Sequence, residues 1–400
     1  MAASFDNETH RFEQWMQLQG FEVSPKVTLV DYRAQHQGRG MQAVEDIEEG
    51  EMLFSIPRGA LLTGDSVPEL RALIKDFDEW PQLIAVMMFT AAKDWASYFA
   101  VLPHKFNTPM FWAEDELALL HGSLLVEKIG REEAVELYES MHPIFHHALF
   151  ANVDTSEAAF HRMASLIMAY GFDLVGENEE TTKAMVPLAD MLNSHTKLHN
   201  ARLEMPDDSG SPLQMVASKP IKSGDQVYNF YGELPNCDLL RRYGYVEAGG
   251  NANDIAEITI ECLLESSAID PAQFDRWEKY DDQQILDSSY DIGDHGVPDP
   301  DLLAAVNLLA EPKPSKQAYR KCCEMAEEEE LLPKAKAILI AAIKTRLGQY
   351  PDVAPLPEAP QQVYTDTETM CRQILSSEIE IFKLALEWLG ESDVKRRRLE

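Results

Sequence analysis

Met185-Val186-Pro187-Leu188-Ala189-Asp190-Met191-Leu192-Asn193-Ser194-His195 is an apolar run that ends in polar groups. An Asp and an Asn carried on so apolar a segment are costly to bury unless they are hydrogen-bonded, so the stretch is expected to organise a site. The plainer alternative is an Asp that caps a helix and an Asn that sits in a turn.

Working outward toward the C-terminus, Val227-Tyr228-Asn229-Phe230-Tyr231-Gly232 and then Arg242-Tyr243-Gly244-Tyr245-Val246 place five aromatics within nineteen residues. The dipeptide Tyr-Gly recurs after twelve residues, as phenols lining a narrow pocket would with glycine giving room beside them. Aromatics packed on a core strand would give the same pattern. Toward the N-terminus, Gly38-Arg39-Gly40-Met41-Gln42-Ala43 fits G-x-G-x-x-A. A dinucleotide-binding turn needs a helix to start there and run on. Gly50 interrupts and a strand follows, which excludes that fold. The glycines then either let a cofactor approach the backbone closely or form an ordinary turn.

Secondary-structure signals frame these segments. Lys26 to Tyr32 and Met52 to Ile56 read as strands, the second bounded by Gly50 and Pro57. Leu213 to Ala217 and Gln226 to Tyr231 read as two more. Ala43, Ile47, Gly50 and Phe54 share their spacing with Ala217, Ile221, Gly224 and Tyr228, and an acid follows the glycine in each (Glu51, Asp225). Each set predicts a hairpin of strand, tight turn and strand. Between them, residues 66 to 172 are helical in pattern. The clearest helix runs from Ser156 to Tyr170, with Ala159, Met163, Leu166, Ile167 and Tyr170 on one face and Asp154 with Glu157 as a capping box. After Asn251 the chain turns helical and acidic. Leu332 to Leu347 stops at Gly348, and Thr365 with Glu368 caps a helix whose apolar face is Met370, Ile374, Ile381, Ala385 and Trp388. The four prolines of Tyr350 to Pro360 mark a loop between them.

Charge bounds the partners. Thirty-five Lys and Arg against 68 Asp and Glu leave a net charge of −33 over 400 residues. Such a field repels nucleic acid and anionic lipid and attracts basic proteins, although many soluble proteins are merely acidic. No apolar run approaches the ~20 residues of a membrane span, and no secretory signal is evident at the start. A soluble, intracellular protein is expected. The five cysteines (Cys237, Cys262, Cys322, Cys323, Cys371) include no C-x2-C pair, so a reduced compartment and no structural zinc are expected. His142 and His146 lack the Glu of a H-E-x-x-H site, and no G-x-S-x-G or G-x4-G-K-[ST] occurs.

Gly38-Arg39-Gly40, Ala189-Asp190-Met191-Leu192-Asn193 and Asn229-Phe230-Tyr231-Gly232 follow the order of the SET-domain motifs. The chain resembles SET-domain lysine methyltransferases of the Rubisco large-subunit methyltransferase type, and within them the fungal ribosomal lysine methyltransferases and their animal relatives. Matching stretches include Gly40 to Leu61, Trp95 to Pro103, Pro109 to Trp112, Met168 to Tyr170, Asn200-Ala201 and Tyr231 to Glu247. One departure stands out: Ser194 follows Asn193 where many SET proteins carry His, and His195 comes one residue later, which puts any role for it in doubt.

The resemblance implies an α+β fold, with a β-rich SET domain over residues 20–250 split by a helical insert at 66–172. An all-α substrate-binding domain over 251–390 and a basic tail at 391–400 would follow. It implies transfer of a methyl group from S-adenosylmethionine to a protein lysine, with Tyr231 as catalytic tyrosine and as a border of the cofactor. Gly38, Arg39, Gly40 and Met41 would bind the cofactor through their backbone, Asn193 would hold its amino-acid end, Tyr170 would flank it and Asp190 would brace the motif. Trp95 and Tyr243 would line the lysine channel, with core packing an equal alternative for Trp95. No metal is implied. A basic large-subunit ribosomal protein is the expected substrate, monomethyl-lysine the expected product, and a monomer in the nucleus and also the cytoplasm the expected form. The competing readings are a catalytically silent SET scaffold and an acidic chaperone for basic proteins. Lys395-Arg396-Arg397-Arg398 is read as a nuclear import signal, against a solvated helix end.

Overall fold

The computed structural model describes residues 5–175, 181–206, 210–286, 289–357 and 362–391. The basic tail lies outside them. By its internal packing the chain divides into two units, residues 1–110 with 130–233, and residues 111–129 with 234–400.

The first unit opens with helix α1 (Phe5–Gln19), followed by β1 (Glu22–Val23), β2 (Val27–Asp31), β3 (Arg39–Ala43), β4 (Met52–Ile56) and β5 (Leu62–Thr63). Helices then fill the space before the next strand, among them α2 (Glu79–Thr90), α3 (Ala96–Val101) and α4 (Glu157–Tyr170). Strands resume with β6 (Gly171–Val175), β7 (Thr181–Met185), β8 (Ala201–Glu204), β9 (Leu213–Ala217) and β10 (Gln226–Val227). They form three small sheets, ordered β1-β4-β9-β8, β10-β3-β2 and β5-β7-β6. α2 runs almost wholly buried from Leu83 to Thr90, and its uniform apolar character matches its place in the core with Phe54, Ile56, Leu166 and Met185.

The two sets of matched spacing are not hairpins. Each leaves one sheet and enters the other, and the two pair with one another. Ile47 and Ile221 exchange both main-chain hydrogen bonds, each at 2.9 Å. Gly50 N–H donates to Ala217 O and Gly224 N–H to Ala43 O, both at 2.8 Å. β4 pairs with β9 and β3 with β10, all antiparallel. Both glycines have left-handed φ (+83° and +94°), which turns the chain between sheets at little cost. The repeat is therefore a local two-fold pairing of distant segments. Spacing alone could not distinguish it from two turns.

The last predicted strand is also shorter than its pattern. β10 ends at Val227 because the next residues find other partners. Tyr228 N–H donates to Asn200 Oδ1, and Tyr228 O accepts from the amides of Asn200 and Ala201.

The second unit holds α5 (Asn236–Tyr243), α6 (Ile260–Ser267), α7 (Pro300–Ala310), α8 (Lys316–Glu327), α9 (Pro333–Leu347) and α10 (Thr367–Trp388). Its core joins Trp277, Leu303, Leu308, Ile343 and Phe382. It is mainly helical, as the pattern implied, with two short ladders added: β11 (Val246–Glu247) with β14 (Val363–Tyr364), and β12 (Ile255–Thr259) with β13 (Ser289–Gly293). Two boundaries differ from the sequence reading. Residues 234–250 belong here rather than to the first unit, because the Asn236 amide and side chain bond to Asp254 and β11 pairs with β14. Residues 111–129 of the helical insert also belong here, held through Ser123 to Glu378 and Lys128 to Glu257. No helix among the described residues is long and apolar enough to cross a membrane.

Candidate active site

The segment that decided the reading is built around a strained residue. Leu188 is buried with φ +73° and ψ −42°, and a single helical turn (Ala189–Met191) follows it. A side chain held there costs about 1–3 kcal/mol, which the surrounding packing must offset. Asp190 is buried, and its carboxyl accepts the phenol proton of Tyr98 on α3. Burial pushes this carboxyl up to about 8, against the opposing pull of the Tyr98 hydrogen bond. Burial thus favours the protonated form of Asp190, which braces the turn against α3.

Asn193 and Tyr231 meet although far apart in sequence. Asn229 N–H donates to Asn193 O at 2.9 Å, and Ser194 pairs in parallel with Asn229. Tyr231 N–H donates to Ser194 Oγ at 3.3 Å, and the Tyr231 phenol donates to Leu192 O at 2.7 Å. Ser194, the departure from the Asn-His dipeptide, is therefore an acceptor that steadies Tyr231. His195 is buried, with its ring edge-on to Tyr228 and its Nδ1 accepting from Lys197 N–H at 3.2 Å. It fastens a turn.

The glycine segment lies on the same unit. Gly38 has φ +69°, and its carbonyl accepts from Tyr32 N–H at 2.7 Å. β2 pairs with β3 along its whole length, but β10 covers the other side only at Met41 and Gln42, so on that side no strand among the described residues lies beside Arg39 and Gly40. A Cβ added to Gly40 would lie 2.7 Å from Asn193 Nδ2, 2.8 Å from Gln226 Nε2 and 2.8 Å from the Tyr32 ring. Asn193 Nδ2, Gln226 Nε2 and the Tyr32 phenol oxygen are buried without a hydrogen-bond partner among the described residues. Buried polar atoms are rarely left so, and the two carboxamide nitrogens packed over Gly40 are suited to a polar ligand. Met41 is buried in the core, which leaves only its backbone for such a ligand.

Arg39 turns its side chain away, into the N-terminal helix. Its guanidinium donates to Val101 O at 2.6 Å, Thr9 Oγ1 at 3.0 Å and Phe5 O at 3.3 Å, and stacks 3.9 Å from the centre of the Phe5 ring. Tyr170 ends α4. Burial, and then the charge of Asp190, push its phenol up to about 12, while Arg39 opposes the shift. Trp95 caps α3, its ring 5.2 Å from Trp15 and 5.8 Å from Tyr98. That is the packing role the sequence left open beside channel lining. Tyr243 ends α5 in the second unit, its ring 6.2 Å from that of Tyr245. Among the described residues, no group of three or more His, Cys, Asp or Glu is placed to hold a metal.

Tyr32, Tyr98 and Gln226 did not stand out in the sequence. The signal for Gln226 and Tyr32 was register, since strands flanking β3 must set side chains over Gly40.

The comparisons with known proteins agree with this fold. The family model described as SET domain matches residues 38–232. Ribosomal lysine N-methyltransferase 4 of Saccharomyces cerevisiae is 31% identical, over 97% of this chain and 93% of that protein. N-lysine methyltransferase SETD6 of Rattus norvegicus is 32% identical, over 80% of this chain and 73% of its own length. The SET domain of LSMT bound to lysine and AdoHcy has TM-score 0.77 at 19% identity, covering 100% of this chain and 96% of that one. Rubisco LSMT bound to AdoMet has TM-score 0.74 at 18% identity, covering 98% and 95%. These structures share the fold. The chain belongs to the SET-domain family, as a protein-lysine N-methyltransferase. Its cofactor is S-adenosylmethionine, and the β3 edge with its two unpartnered carboxamide nitrogens fits a group rich in hydrogen-bonding atoms.

Proposed function

We propose that this methyltransferase places a single methyl group on a lysine of a basic large-subunit ribosomal protein, acting as a monomer in the nucleus and also in the cytoplasm. Two observations support the substrate. The likeness to the yeast ribosomal lysine methyltransferase runs the length of both chains, and a net charge of −33 favours Lys- and Arg-rich partners.

The observation that carries the mechanism is the bond from the Tyr231 phenol to Leu192 O. When bound, S-adenosylmethionine supplies a sulfonium methyl for in-line transfer to a neutral amine. A free lysine, with pKa about 10.4, is almost wholly protonated at neutral pH. Burial beside a positive charge disfavours the ammonium, so the site lowers that value. The hydroxyl proton of Tyr231 is committed to Leu192, and its oxygen therefore meets the substrate as an acceptor. An acceptor takes an N–H of the neutral amine and turns the nitrogen lone pair toward the methyl group. The same oxygen and nearby carbonyls would orient that methyl by accepting weak C–H···O contacts. Rate then comes mainly from alignment, with reacting atoms about 3–3.5 Å apart. Gly38, Arg39, Gly40 and Met41 contribute backbone, and Asn193 its carboxamide. A phenol fixed by its own hydrogen bond also leaves little room to rotate a methylated amine, which favours monomethyl-lysine.

The test is incubation with labelled methyl donor and ribosomal proteins from cells lacking the enzyme, followed by mass mapping. One labelled lysine on a basic ribosomal protein is expected. An unlabelled ribosomal fraction overturns the substrate, and abundant trimethyl-lysine at short times overturns the product. Deleting Val394 to Glu400, which removes the basic tail, should move the protein to the cytoplasm with activity intact. An unchanged nuclear signal overturns the import role.

A further inference from the structure

We propose that Gln226 is a further residue of the methyl-donor site, its carboxamide working beside that of Asn193 to bind the carboxylate at the amino-acid end of S-adenosylmethionine. The proposal rests on the β3 edge being the cofactor cradle. Asn193 Nδ2 and Gln226 Nε2 lie 2.7 and 2.8 Å from one point, the position a Gly40 side chain would take. Both are buried donors without an acceptor among the described residues. Folded proteins rarely tolerate one such donor, so two that pack over the same glycine call for an acceptor within reach of both. A carboxylate is such an acceptor, offering two oxygens and several lone-pair directions. Charged acceptors also form the stronger hydrogen bonds.

The position selects the end of the cofactor. Asn193 directly follows Leu192, whose carbonyl holds the Tyr231 phenol. Only a few bonds separate sulfonium from carboxylate in the methionine part of the cofactor. A group bound beside Asn193 is therefore near the transferring methyl. Arg39, the nearest cation in sequence, is not available to this carboxylate, because α1 and the Val101 carbonyl engage its guanidinium. Gln226 is held in place by strand pairing with Gln42 and by Asn200 Nδ2, which donates to its carbonyl at 3.0 Å.

The test is calorimetric binding of S-adenosylmethionine and of 5′-methylthioadenosine, which lacks the amino-acid end. Wild type, Gln226→Leu, Gln226→Glu and Asn193→Ala are compared, with melting curves to confirm folding. Gln226→Leu should weaken S-adenosylmethionine about 10-fold or more, the loss of one bond to a charged acceptor, and change methylthioadenosine less than about 2-fold. Gln226→Glu should weaken S-adenosylmethionine further by setting like charges together. Equal losses for both ligands, or none, overturn the role of Gln226. If Asn193→Ala discriminates and the Gln226 variants do not, Gln226 alone falls. If none of the three discriminates, the placement of the amino-acid end falls with it.

Discussion

The phenol of Tyr231 reaches the carbonyl of Leu192 at 2.7 Å across 39 residues of chain. Closing so long a connection costs entropy, and one hydrogen bond does not offset it. The Asn229 amide on Asn193 O, the Tyr231 amide on Ser194 Oγ and the Ser194–Asn229 pairing share the task. The tyrosine is therefore oriented by the same turn that presents Asn193.

Tyr231→Phe separates orientation from packing. Turnover should fall at least ~100-fold, as when one well-placed polar group is lost from a transition state. Leu192 O also loses a donor, so stability should drop by about 1 kcal/mol. Affinity for S-adenosylmethionine should change far less than turnover. Initial rate, melting temperature and calorimetry on the same preparations decide it; a near-normal rate removes the phenol from the mechanism.

Arg39→Ala tests whether the N-terminal helix is tied to β3. The substitution strands the buried Val101 carbonyl partner and unpins α1, with an expected loss of about 2–4 kcal/mol. Arg39→Lys keeps the charge without the planar fork and should recover little. Hydrogen exchange should rise across Phe5–Gln19 in both variants. Unaltered protection there would show that α1 docks by its apolar face alone, through Phe12, Trp15 and Met16.

Asp190 should leave a signature in the pH dependence of stability. Its carboxyl stands at about 8 in the fold, against 3.8 unperturbed, so the folded state keeps a proton that the unfolded state has released. Stability from this group therefore falls as pH rises between those values and levels off above about 8. Asp190→Asn is neutral throughout and retains an acceptor for Tyr98. Melting curves from pH 5 to pH 9, run for both proteins, should diverge with the variant gaining as pH rises. Parallel curves would mean that Asp190 is ionised in the fold.

Local pattern carried some elements to the residue and failed at others. Met52–Ile56 and Leu213–Ala217 were legible because turn residues bound short apolar runs. The helix ending at Tyr170 was legible from its buried face, but its cap is Ser156, which accepts from Ala159 N–H, and Asp154 instead holds the Ser156 amide. Likewise Asp366, not Thr365, caps α10. Adjacent capping residues compete on equal chemical terms, and sequence does not rank them. The site was legible where a motif names a residue, as for Tyr231 and Asn193. It was not where the partner is distant: the carbonyls that hold the Arg39 guanidinium belong to residues 5 and 101, and the side chains over Gly40 come from three separate segments.

Glu378 offers a test in the second unit. Its buried carboxyl accepts from Ser123 Oγ at 2.7 Å and from the Tyr350 phenol at 2.6 Å, and burial pushes it up to about 7. Nearby, Arg346 Nη2 donates to Gly122 O at 2.9 Å, and Gly122 has φ +102° with the Tyr350 ring 3.1 Å from where a Cβ would stand. Segment 111–129 is thus fixed to α9 and α10 by buried polar bonds at Gly122 and Ser123. Glu378→Ala leaves two buried hydroxyls without their acceptor, at about 1–3 kcal/mol each. Glu378→Gln preserves an acceptor carbonyl without the ionisable group and should cost less than half as much. Hydrogen exchange around Leu120 to Leu125 should rise strongly in the Ala variant and little in the Gln variant. If both variants lose the same stability, the charge of Glu378 beside Arg346, and not its acceptors, holds the segment in place.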